Sequence, residues 1–126
     1  LLLPLLIITA GYLLWIGATA PGGAFQAGAT LAAAAVLLRL GGDAAAGLPG
    51  VKGQRWLLTL GIVAFVLVGL GVSVTSGTFL TYPREWAGLL ILVIEAAATL
   101  SIACALALAY IGGRPAGWDA ADRGEP

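Results

Sequence analysis

The sequence predicts an all-α integral membrane protein, a bundle of four transmembrane helices. Three observations carry this expectation. The 126 residues are 60% hydrophobic and 10% charged, whereas soluble domains carry about 25% charged residues. Mean hydropathy is +1.03. Apolar stretches recur at Leu1–Ala20, Ala24–Leu40, Trp56–Thr75 and Ala87–Ile111, each close to the ~20 residues that a membrane helix needs. A water-soluble fold of this size would lack the polar side chains to cover itself. Open sheets are excluded in lipid, because their edge N–H and C=O groups would go unpaired.

The first stretch, Leu1–Ala20, has a rival reading as a signal peptide, since Ala18-Thr19-Ala20 has the form of a cleavage site. No Lys or Arg precedes it, and Pro21 would follow the cut, so a retained helix is expected. Position 1 is Leu and methionine is absent, so the chain is expected to be processed or to begin inside a longer protein. Pro21-Gly22-Gly23 then reverses the chain: proline is tolerated in a first helical turn, and the glycines permit a tight turn. The second stretch is alanine-rich and ends near Arg39. The second link, Gly41–Gln54, holds Pro49. The third stretch is followed by a link with Gly77, Pro83, Arg84 and Glu85. The fourth ends at Ile111. The expected division is a four-helix domain over 1–113 and a polar C-terminal tail over 114–126.

Positive charge orients the spans. Arg39, Lys52 and Arg55 flank the second link, and Arg114 and Arg123 lie on the tail, against Arg84 alone on the third link. Cytoplasmic loops carry the excess of Lys and Arg, so both termini are expected in the cytoplasm of a bacterial-type cell (inner) membrane. Tyr12, Trp15, Trp56, Tyr82, Trp86 and Tyr110 fall near span ends, as an interfacial aromatic belt requires.

Composition also excludes function classes. Net charge is zero and histidine is absent, which argues against nucleic-acid binding and removes imidazole as base or metal ligand. Cys104 is the one cysteine, so no disulfide forms within the chain and no thiolate cluster exists; it reads as a small apolar packing residue. No catalytic triad, phosphate-cradling glycine loop or zinc spacing is present. Neither an enzyme acting alone nor a bound cofactor or metal is expected.

Glu95 is the one formal charge between Ala87 and Ile111. A carboxylate at a helix centre in hydrocarbon costs roughly 2.5 kcal/mol or more, so such groups face protein or a water-filled path. Helix rise places it roughly 13 Å from the start of its span. Gly88, Ile91, Leu92, Ala98, Thr99 and Ile102 share its face at helical spacing, and Thr99 stands one turn on, within reach of the carboxyl. Glu95 and Thr99 are therefore the candidates for proton or ion transfer. The competing reading is a neutral Glu95 donating one structural hydrogen bond between helices. No cation lies mid-span to answer it, so any relay is expected to continue in another chain.

Small residues recur at four-residue spacing: Gly28 and Ala32 on the second helix, Gly69, Ser73 and Gly77 on the third. Such spacing lets helices approach closely in lipid, either within this chain or against a neighbouring subunit.

The segment Gly17-Ala18-Thr19-Ala20-Pro21-Gly22-Gly23-Ala24-Phe25-Gln26-Ala27-Gly28 resembles the G-H-x-x-P-G-G-G-F-x-x-G loop of the MnhB/MrpB family, a small membrane component of multisubunit Na⁺/H⁺ antiporters of the Mrp/Mnh type. The alanine-rich helix ending near Arg39 and Gly77-Thr78-Phe79-Leu80-Thr81 fit the same family, and the likeness runs to about Gly113. Pro21, Gly22, Gly23, Phe25 and Gly28 match the motif and read as structural, where backbone freedom and close approach are needed. Ala18 stands where the family has histidine, and Ala24 where it has a third glycine. The resemblance implies an accessory subunit of a cation (Na⁺)/proton antiporter complex, in lipid beside other membrane subunits and without a redox cofactor of its own. The alternative is a structural membrane-arm subunit of a related redox-driven complex, a membrane-bound hydrogenase or a complex I-like assembly. Glu95 lies outside the motif, and its role rests on the physical argument.

Overall fold

The computed structural model describes residues 2–42, 48–78 and 81–111; the polar tail lies outside them. The described residues form four α-helices and no strand: α1 (Leu2–Ile16), α2 (Ala24–Leu40), α3 (Val51–Ser76) and α4 (Ala87–Ile111). Two of these, α3 over Val51–Thr75 and α4, are long and apolar enough to cross a membrane; α1 and α2 are apolar but shorter.

Two boundaries differ from the hydropathy reading. The first helix stops at Ile16, not Ala20. The chain folds back under its end: the Ile16 carbonyl accepts the N–H groups of Thr19 and Ala20, both at 2.9 Å, and the Leu13 carbonyl accepts that of Gly23 at 2.9 Å. The turn thus satisfies carbonyls that a helix end leaves open. The third helix starts at Val51, five residues before its apolar run. Gln54 closes that first turn twice, its N–H bonding the Gly50 carbonyl at 3.0 Å and its side-chain amide the Pro49 carbonyl at 2.9 Å. Polar Lys52 and Arg55 ride on this turn, which is why hydropathy alone begins the helix later.

The four helices are the all-α set that the sequence predicts. They form an open row in the order α1, α2, α4, α3: α2 and α4 pack together in the middle, α1 packs on α2 and only grazes α4, and α3 packs on α4 alone. α3 and α4 run antiparallel. Gln54 faces Cys104, Leu58 faces Ser101 and Gly61 faces Ala98. α2 runs the same way as α4. Gly28 crosses α4 at Thr99 and Ile102, and the buried residues of α4 extend beyond that crossing to Cys104 and Ala107, a stretch that a parallel α2 covers with its remaining turns and an antiparallel one would leave after a single turn.

The buried side chains are small. Ala10, Ala27, Ala32, Ala34, Val72, Ala97, Thr99, Cys104 and Ala107 lie between helices, and no large side chain is fully buried among the described residues. Bulky apolar groups point outward, with Trp15, Trp56, Ile62 and Val74 all more than two-thirds exposed. A row this apolar on both sides cannot be stable against water. Its outer surfaces call for lipid or protein.

Candidate functional site at Glu95 on helix α4

Glu95 sits near the middle of the central helix, half-buried. Its surroundings are set by two close helix approaches. On one side a Cβ at Gly61 of α3 would stand 3.2 Å from Ala98 Cα and 3.4 Å from Ser101 Cβ. Below that contact, Ser101 Oγ donates to the Leu58 carbonyl at 2.7 Å, and the Cys104 thiol donates to the Gln54 carbonyl at 3.8 Å. On the other side Gly28 of α2 meets Ile102 and the Thr99 carbonyl so closely that a Cβ would lie 2.8 Å from Ile102 Cγ2 and 3.0 Å from that oxygen. Glu95, Thr99 and Ile102 share one stripe of α4. Glu95 therefore lies one turn above the α2/α4 crossing, level with the start of α2.

Sterics account for the glycines of the loop motif. A Cβ at Gly22 would stand 2.6 Å from the Leu13 carbonyl, and one at Gly17 would stand 2.5 Å from Gly23 Cα. Gly23 is buried at φ 105°, a conformation that side chains resist. Pro21 is exposed, and so is Phe25, at 63%; Phe25 stands on the first turn of α2 and packs on no core.

Thr99 is placed differently from the sequence expectation. Its hydroxyl donates to the backbone carbonyl of Glu95 at 2.7 Å, not to the carboxyl, and the residue is buried in the seam with α2. A Thr hydroxyl in a helix finds the carbonyl one turn back without leaving its rotamer. The Glu95 carboxyl makes no hydrogen bond or ion pair with the described residues, and its oxygens reach the molecular surface. The cations lie elsewhere: Arg39 on the last turn of α2 and Lys52 and Arg55 on the first turns of α3 at one end, Arg84 beyond α4 at the other. Gln54 sits opposite Cys104, so the α3 cations are about 13 Å along the axis from Glu95. Among the described residues no cluster of His, Cys, Asp or Glu could hold a metal.

The expected packing stripes divide. Gly28 and Ala32 are buried, Gly69 is buried and Ser73 half-buried. Gly77 does not pack: it is exposed, lies one residue past α3 and ends it in the left-handed conformation at φ 71°, its N–H bonding the Ser73 carbonyl at 2.9 Å. The α3/α4 contact uses Gly61 and Ser101 instead, which sequence reading passed over. The signal was present as small residues, but so many occur on these helices that spacing could not single those out.

A family model described as "Domain related to MnhB subunit of Na+/H+ antiporter" matches residues 1–113. No curated protein and no solved structure matches the chain. The match takes in all four helices and the Pro21-Gly22-Gly23 turn, where a close contact requires Gly22 and a positive φ favours Gly23, and the chain belongs to this MnhB-related family of Na⁺/H⁺ antiporter subunit domains.

Proposed function

We propose that this chain is an accessory membrane subunit of a multisubunit cation (Na⁺)/proton antiporter complex, without a catalytic site of its own. All four helices cross the membrane, with both termini cytoplasmic, and the chain supports assembly while Glu95 contributes to the ion or proton path. The observation that carries this reading is the family match together with an open row that cannot bury its own apolar surface. Proteins with such surfaces are completed by lipid and by other subunits. The short α1 and α2 fit because a helix below bilayer length is accommodated by thinning or by association with neighbours. Thr99 supports the site indirectly. Its hydroxyl holds the backbone under Glu95, and the transfer role rests on the carboxyl.

The test is made on the native complex, carrying an affinity tag on this chain. The antiporter reading expects large membrane subunits in the eluate and no flavin, iron–sulfur or nickel centres. Such centres would move the chain to a redox-driven complex. In the same background Glu95→Gln is expected to lower Na⁺-driven proton flux in vesicles when flux is counted per assembled complex. Full flux would reduce Glu95 to a packing residue.

A further inference from the structure

We infer that the face of α4 bearing Gly88, Ile91 and Glu95 is a docking face for a membrane helix of another protein in the complex, and that this helix carries a Lys or Arg at the depth of Glu95. The inference rests on the membrane-subunit reading above and names the partner at that site.

The first argument is charge. Glu95 is the one formal charge on α4, its carboxyl has no partner among the described residues, and its oxygens lie at the surface. No cation of the described helices stands at its depth. Lipid does not answer a carboxylate there, whereas a cationic side chain with hydrogen-bonding capacity does. The second argument is the unfilled space beside it. α2 begins level with Glu95, so the first turns of α4 have no α2 neighbour, and no residue of α4 before Ala97 is buried. The third is the turn at the same depth. The first turn of α2 has no side-chain cap, and Phe25 stands exposed on it one turn above the crossing. Irregular backbone at membrane depth is tolerated only against protein or in a water-lined cavity. Protein that covers Glu95 from this side covers the turn as well.

A second copy of this chain does not fit. A two-fold copy on this face would bring Glu95 against Glu95, and its cations lie at the helix ends. The occupant is therefore a different chain with a basic residue inside a span.

The experiment uses the full complex in native membranes. A photo-crosslinking amino acid replaces Ile91 on the proposed face and, as control, Leu67 on the outer side of α3; both positions are exposed. The expected result is a crosslink from position 91 to a membrane span of another protein, within about one turn of a Lys or Arg, and no comparable protein crosslink from position 67. Reversing the charge with Glu95→Lys should lower recovery of the assembled complex by at least about tenfold, and a Lys→Glu or Arg→Glu change at the crosslinked site should restore it. The inference is overturned if position 91 crosslinks only to lipid, to a second copy of this chain, or to a span with no basic residue nearby, or if both positions label protein equally. These failures leave the membrane-subunit reading standing. A chain that co-purifies with no other membrane protein would sink that reading instead.

Discussion

Replacing Gly28 with alanine tests the closest contact in the row. Ordinary carbon contacts begin near 3.4 Å, and the new Cβ would lie 2.8 Å from Ile102 Cγ2, 2.9 Å from Ile102 Cβ and 3.0 Å from the Thr99 carbonyl oxygen. Two of these three atoms belong to or adjoin backbone, so a rotamer change at Ile102 cannot relieve the clash. The helices must separate by about 0.6 Å, enough to forfeit a quarter or more of the dispersion energy at each contact along the seam. Overpacking of this kind costs about 1–3 kcal/mol. Alanine returns up to about 1 kcal/mol through its better helix propensity, so a net loss near 1 kcal/mol is expected, and Gly28→Val should lose more. Gly71 is the control, because nothing lies within 4 Å of a Cβ there and Gly71→Ala keeps the propensity gain without a clash. Recovery of assembled complex from detergent extracts heated to graded temperatures reads the difference. Gly28→Ala should lose assembly at a lower temperature than wild type, and Gly71→Ala should not. Adding Ile102→Ala removes the 2.8 Å contact but not the Thr99 oxygen, so it should recover part of the loss. Equal melting of Gly28→Ala and Gly71→Ala would refute the close-approach argument.

Three further outcomes are expected. Gly77→Ala forces a side chain into the left-handed cap of α3 and should cost about 1–2 kcal/mol, seen as lower thermal recovery than wild type. Ser101→Ala removes the 2.7 Å bond between α4 and the Leu58 carbonyl and should cost about 0.6 kcal/mol, the average for interhelical hydrogen bonds in membranes, so its shift should be smaller than that of Gly77→Ala. Cys104 is buried against α3 and should resist a membrane-permeant maleimide in the folded chain yet react fully after denaturation in SDS; rapid labelling of the native protein would place α3 away from α4.

The row also separates what chain chemistry dictates from what packing dictates. With 10% charged residues and apolar stretches of about helix-span length, the sequence by itself points to an all-helical architecture, because a backbone surrounded by hydrocarbon must satisfy its own hydrogen bonds. The reversal at Pro21-Gly22-Gly23 is equally legible, since those residues tolerate a turn that others resist. Glu95 stands out without any structure, as one carboxyl among apolar residues. The order α1, α2, α4, α3 emerges only from contacts between helices. So do the use of Gly61 and Ser101 at the α3 seam, the capping role of Gly77, and the engagement of Thr99 with backbone. The reason is physical. These helices are apolar all round, so no polar stripe marks an outer face as it does on a soluble helix. Which sides meet then depends on steric fit between small residues, and alanine and glycine occur on nearly every face. That fit is a property of two surfaces at once, and one stretch of sequence carries only one of them at a time.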